Sequence, residues 1–199
     1  VFNDPLNIEA QEAAQRLFPR KILKIALATK KQIINYLYKV ELKDSVKGLV
    51  KKIRDELNSI NSIEEQQEAS SILLLIDVVL KTCIRGRASD IHIEPTEKNC
   101  VVRGRVDGKL AEMFIFEKDV YPPLSSRLKL LANLDIAEKR KPQDGRFSTL
   151  VGTREYDFRI STLPILYGES IVMRVLDKQK ALVKLEDAGM DTASYHKLL

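Results

Sequence analysis

Apolar residues recur along this chain with two different periods, and the change comes near residue 88. Before it the spacing is helical. Asn7 can cap a helix from Ile8 to about Phe18, which Pro19 ends because proline has no amide hydrogen to donate. Ile22, Leu23, Ile25 and Leu27 predict a short strand. Thr29 and Gln32 have the capping-box spacing, and the helix they open carries Ile33, Ile34, Leu37 and Tyr38 on one face. Asp44 or Ser45 can cap a further helix with Val46, Leu49, Val50, Ile53, Leu57 and Ile60 in one stripe. The polar stretch 61–70 then predicts a domain boundary near residue 65. Ile72, Leu73, Leu75, Ile76, Val79, Leu80 and Cys83 predict a helix over residues 70–85, apolar nearly all round and so buried on more than one side.

After residue 88 the period is two. Ile91 and Ile93 alternate with His92 and Glu94, and the strands 100–106 and 110–116 flank Asp107-Gly108, a strong hairpin turn. Pro122-Pro123 opens a helix carrying Leu124, Leu128, Leu131 and Leu134. Three further strands, 146–151, 155–162 and 170–176, are joined by Gly152-Thr153 and a loop from Pro164 to Gly168. Short strands with hairpin-length links predict an α+β fold: a roughly six-stranded antiparallel sheet with helices, not a parallel βαβ sheet. The expected organisation is a small α/β piece over 1–42, a helical connector over 43–69, the sheet domain over 70–180 and a linker over 181–199.

Composition narrows the function classes. With 44% hydrophobic and 31% charged residues the chain is globular in balance, and its net charge of +5 favours phosphate-bearing partners without choosing among them. Cys83 and Cys100 sit in apolar runs and read as buried free thiols in a reducing compartment. The longest apolar run, Ile72 to Leu80, is broken by Asp77 and falls well short of the ~20 residues of a membrane span, so any membrane contact is expected through a partner. The first residue is Val1, which suggests a piece of a longer polypeptide. No phosphate loop of the G-x-x-x-x-G-K-[ST] type, no H-E-x-x-H and no nucleophile elbow occurs, so neither a catalytic residue nor a metal site is expected in this chain alone.

What remains is arginine. Alternation puts Arg103 and Arg105 on one face of their strand, Asp157, Arg159 and Ser161 opposite Tyr156, Phe158 and Ile160, and Arg174 with Val172 and Leu176. An arginine in mid-strand needs acceptors for its donors. Two arrangements supply them: ion pairs within the sheet, for which Asp107, Asp157 and Glu169 are available, or a face that meets phosphate through the planar guanidinium fork. Lys139, Arg140, Lys141 and Arg146 form a second concentration around Pro142 and Gly145, which by itself reads as a solvated basic loop with an Asp-Gly turn.

Several blocks carry a resemblance. Ala88-Ser89-Asp90-Ile91-His92-Ile93-Glu94-Pro95 resembles a signature of the type II secretion and type IV pilus assembly ATPases. Val102 to Gly108 resembles the family's hairpin, with Gly104 where an aromatic residue is usual; Leu134 to Arg146, Asp157 to Pro164, Gly168 to Asp177 and Leu185 to Met190 follow in the family's order. Residues 1–42 resemble, more weakly, the end of the family's first N-terminal domain. The resemblance implies a PAS-like second N-terminal domain over 70–180 and a linker into a RecA-like ATPase core that these residues do not include. It implies a hexameric cytoplasmic ATPase, peripheral to the inner membrane, which uses ATP and Mg, with no tightly bound cofactor on this segment. The implied partners are that core, neighbouring subunits and inner-membrane platform proteins.

In the family, arginines of this domain reach the nucleotide held by the core, and the matching candidates are Arg127, Arg140, Arg146, Arg159 and Arg174. Arg140 and Arg146 come first on the expectation that they lie on a mobile loop able to close over a ligand. The competing reading is a protein-interaction module whose arginines are structural. A nucleic-acid binder is disfavoured by 6% aromatics, no Trp and no aromatic residues interleaved with the basic strand positions.

Overall fold

The computed structural model describes residues 7–22, 24, 28–59 and 70–177. The chain divides into two compact units, Val1–Lys47 and Gly48–Leu199. In the first, helix α1 (Ile8–Leu17) starts where Asn7 Oδ1 accepts from the Ala10 amide at 2.9 Å, and it stops at Phe18, one residue before Pro19. The strand expected around 22–27 lies mostly outside the described residues. Helix α2 (Lys30–Ser59) opens with a reciprocal capping box: the Thr29 amide donates to Gln32 Oε1 at 2.8 Å and the Gln32 amide to Thr29 Oγ1 at 3.3 Å.

Helix α2 is one helix of 30 residues, so Asp44 and Ser45 lie inside it and cap nothing. Between Val40 and Lys47 no glycine or proline interrupts a run dominated by good helix formers, and a polar pair without a breaker does not stop a helix. In the second unit the end of α2 is tied down from both sides. The Arg54 guanidinium bridges Asp119, at 2.6 Å from Nε, and Glu117, and Ile53 is fully buried. Glu56 accepts from the Ser71 hydroxyl at 2.6 Å and from its amide at 3.4 Å, placing a carboxylate at the start of helix α3 (Ser70–Arg85), where the free amides and the helix dipole favour it.

Helix α3 buries Ser71, Ile72, Leu75, Ile76, Val79, Leu80 and Cys83, while Leu73 and Leu74 are exposed. Its sequence predicted burial on more than one side. Covered by the sheet along one stripe, it leaves the opposite face open. Strands β1 (Asp90–Pro95), β2 (Asn99–Val106), β3 (Lys109–Glu117), β4 (Gln143–Val151), β5 (Arg154–Ile165) and β6 (Gly168–Asp177) form one antiparallel sheet in the order β3-β2-β1-β6-β5-β4. The fold is α+β, as the pattern predicted. Asp107 (φ +48°) and Gly108 (φ +79°) make the β2–β3 turn with both central residues left-handed.

One sheet face is apolar: Ile91, Ile93, Cys100, Val102, Phe147, Phe158, Ile160, Ile171 and Met173 are buried there with α3 and helix α4 (Tyr121–Leu131). Each of these large side chains contributes about 1.5–3 kcal/mol by burial. Between β2 and β3 the register slips, so that Val102 faces Phe114 and Arg103 faces Glu112; Met113 is the extra residue of a β-bulge. Gly86 and Gly104 leave its side chain room: a Cβ on either would stand 2.9 Å and 3.4 Å from Met113 Cε.

Helix α4 ends sooner than its leucines predicted. Asn133 turns left-handed (φ +56°) and the Leu134 amide donates to Lys129 O at 2.9 Å, so Leu134 leaves the helix and packs toward β4 at Gly145. The segment that follows is stitched to β4. Gln143 donates to Asp135 O (3.0 Å) and Glu138 O (2.9 Å) and accepts from the Asp135 amide (2.9 Å), while Asp135 Oδ1 accepts from Ala137 (2.8 Å). Beneath it Lys129, 1% exposed, pairs with Glu169 at 2.8 Å and donates to Glu138 O at 2.6 Å.

Candidate functional site

The other sheet face is polar, and register aligns its charges. Across the strands Arg105, Asp90, Arg174, Arg159 and Arg146 occupy one row, each directly opposite the next. Side chains that share a row and a face lie about 5 Å apart at Cβ, so this row is a line of interacting groups. Between Arg105 and Arg174 the Asp90 carboxylate, 8% exposed as a residue, accepts from Arg174 Nε at 3.0 Å and from the Ser89 hydroxyl at 2.8 Å, with Arg105 Nε 3.5 Å away. Burial pushes the Asp90 carboxyl up, but the Ser89 hydroxyl and the two guanidinium groups outweigh it and hold it below the usual carboxylate range.

The β4–β5 end of the row has a different character. Three residue pairs face one another there: Asp144 with Ser161, Arg146 with Arg159, and Ser148 with Asp157. Ser161 donates to Asp144 Oδ1 at 2.5 Å and Ser148 to Asp157 Oδ1 at 2.6 Å. Neither Arg146 nor Arg159 forms an ion pair with a carboxylate among the described residues, although an acid stands two positions from each. Like charges directly opposite destabilise a sheet. Asp90, Asp144, Arg146, Arg159, Ser161 and Arg174 line a concavity of about 540 Å³ over this end.

On the same face His92, Glu94 and Arg103 form a second charged group, in which Arg103 Nε and His92 Nε2 are buried without a hydrogen-bond partner among the described residues. Glu94 accepts from Arg103, and His92 Nδ1 lies 3.8 Å from Glu94 Oε1. Burial lowers the His92 pKa; Glu94 pulls the other way, and Arg105 and Arg103 lower it further.

The structure thus brings three of the five candidate arginines together: Arg146, Arg159 and Arg174. Arg146 lies within strand β4 and not on a mobile loop, because Gln143 to Arg146 already pair with β5; the Asp144-Gly145 turn read from the sequence is extended strand. Arg140 is on the 132–142 connection, its side chain 90% exposed, 3.6 Å from Glu138. Arg127 is half-buried on α4. Neither lines the concavity. Of the acceptors expected for the arginines, Glu169 is buried against Lys129 instead, and the groups that serve them are Asp90 and Glu94 of β1. Alternation along β1 puts both on the polar face, a signal available in the sequence.

Residues 65–199 match the family described as Type II/IV secretion system protein. The chain belongs to that family. Its relatives include the type II secretion system protein E of Pseudomonas aeruginosa, 47% identical over 138 residues, 69% of this chain and 28% of the relative. The type II secretion system ATPase E of Vibrio cholerae is 44% identical over 144 residues, 72% of this chain and 28% of the relative. The type II secretion system protein E of Dickeya dadantii is 42% identical over 138 residues, 69% and 28%. This secretion-family chain therefore spans less than a third of the length of these relatives. Among its described residues no helix is long and apolar enough to cross a membrane.

Proposed function

We propose that this chain is the regulatory and assembly region of a type II secretion ATPase, and that its polar sheet face presents arginines to the phosphates of a nucleotide held by a core outside it. The observation that carries the reading is the pair Arg146 and Arg159, directly opposite one another in register and without an ion pair to a carboxylate among the described residues, while both nearby aspartates accept from serines. Such an arrangement gains most when an anion fills it, and the guanidinium fork matches two phosphate oxygens. Arg174 in the next strand extends the cation-rich patch.

The chemistry would be electrostatic. Arginines carried on paired strands present positive charge where negative charge would develop on a transferring phosphoryl group, the role an arginine finger plays. ATP with Mg is the substrate in this reading, the fragment alone turns nothing over, and the full-length polypeptide works as a cytoplasmic hexamer docked on inner-membrane secretion proteins. The PAS-like description of the sheet domain belongs to the same reading. For Arg103 the structural alternative is favoured, because Glu94 accepts from it; Arg105 donates to Gly108 O in the β2–β3 turn and does not line the concavity.

The test is ATP turnover by the full-length polypeptide, native against Arg146→Ala and Arg159→Ala, with nucleotide affinity measured in parallel. The expected loss is about a hundredfold in kcat for each, with affinity within about threefold. Unchanged turnover in both variants, and in Arg174→Ala as well, removes the nucleotide role and leaves an interaction module.

A further inference from the structure

We infer that Asp90, the one acid in a row of four arginines, is a positioning residue: it aims Arg174 at the bound phosphate while staying clear of it. This rests on the nucleotide reading above. Simple charge arithmetic would make Asp90 a liability, since a carboxylate beside an anion site repels the ligand. Its geometry says otherwise. Asp90 Oδ1 takes Arg174 Nε at 3.0 Å, the edge of the guanidinium nearest its own chain, and no terminal nitrogen of Arg174 is engaged by a carboxylate among the described residues. The two outer nitrogens, which form the fork that grips a pair of phosphate oxygens, are left for a ligand.

The Arg174 side chain is 68% exposed, whereas that of Asp90 is 11% exposed, so the acid is an anchored base and the arginine a projecting arm. Asp90 is itself fixed. Ser89 donates its hydroxyl to Oδ2 at 2.8 Å, the Ser89 amide donates to Arg105 O at 2.9 Å, and Ser89 O accepts from the Val175 amide at 2.9 Å, locking the start of β1 between β2 and β6. Arg105 Nε, 3.5 Å from Oδ2, takes part of the remaining carboxylate charge, and Arg105 Nη1 is directed to Gly108 O at 3.2 Å. Asp90 thus contributes orientation at little cost in net repulsion. An arm freed of its anchor spreads over many rotamers, and a long side chain must then be ordered on binding.

Two measurements test this. In the 199-residue chain the Arg174 Nε proton, followed by NMR, is expected to exchange slowly in the native protein and at least about tenfold faster in Asp90→Asn, while the backbone amides of β1 and β6 stay protected in both. In the full-length polypeptide Asp90→Asn is expected to lower kcat about tenfold in the native background and to cost nothing further in an Arg174→Ala background, since the two act through one contact. Asp90→Glu should recover part of the loss. Tighter nucleotide binding by Asp90→Asn with kcat unchanged, or an equal loss in both backgrounds, overturns the inference. If Arg146→Ala, Arg159→Ala and Arg174→Ala all leave turnover intact, the nucleotide reading itself fails and takes this one with it.

Discussion

Lys129 Nζ lies 2.8 Å from Glu169 Oε1 with both side chains sealed from water, at 1% and 3% exposure. The pair joins α4 to β6 at the point where the chain also closes Tyr121 OH onto Glu169 O at 2.5 Å. Two charges taken out of water return little net stability together, but removing one strands the other. Lys129→Met alone is expected to destabilise the chain by about 3–5 kcal/mol, while Lys129→Met with Glu169→Leu costs much less. Urea unfolding of the single and double variants measures this; equal losses would mean that the pair is not a unit.

Gly145 and Gly48 make a matched contrast. A Cβ at Gly145 would stand 2.7 Å from Ala132 O, a backbone atom that can move only with the turn after α4. Gly145→Ala is expected to cost about 1–3 kcal/mol through overpacking. At Gly48, inside α2, nothing lies within 4 Å, and Gly48→Ala should add about 0.5–1 kcal/mol by helix propensity. Thermal midpoints moving in opposite directions check both.

His92 makes stability depend on pH. Its folded pKa is depressed, by burial first, below the ordinary 6.5, so the folded state binds the proton less readily than the unfolded one. The stability this group contributes is complete above 6.5 and is lost as pH falls through that value toward the folded pKa. Asp90 acts lower on the scale: its depressed pKa contributes stability above 3.8 that is lost as pH falls below it. Urea midpoints should drop between about pH 7.5 and about pH 5.5 in the native chain and stay flatter in His92→Gln.

Cys83 and Cys100 should be silent to thiol reagents. Burial pushes both thiols up to about 12, so almost no thiolate exists near neutral pH, and neither sulfur meets solvent. Native protein is expected to react with neither thiol over minutes and with both after denaturation, read by the absorbance of a disulfide reagent. Fast labelling of native protein would show that the core around α3 and β2 opens.

Much of the fold was legible because alternation is a local property. The faces of Arg103, Arg105, Arg159 and Arg174 follow from counting residues, and each is where counting puts it. Which arginines share a row was not legible, since it depends on register between strands as distant as β1 and β6. Lys129 was invisible for a related reason: a lysine at a helical position reads as surface, and only its long-range partner Glu169 makes burial tolerable. The early end of α4 was hidden by Leu134, which continues the apolar spacing although Asn133 has already turned the chain.

Met113 extends the lesson from pairs to volumes. Its side chain occupies space that Gly86 on one element and Gly104 on another leave empty, and it reaches that space only because β3 carries one residue more than its partner strand. The two glycines and the bulge that delivers Met113 therefore form one packing unit, in which a change to any member is felt by the others. A large side chain at Gly104 should collide with Met113, and a small one at Met113 should leave a hole at the end of α3.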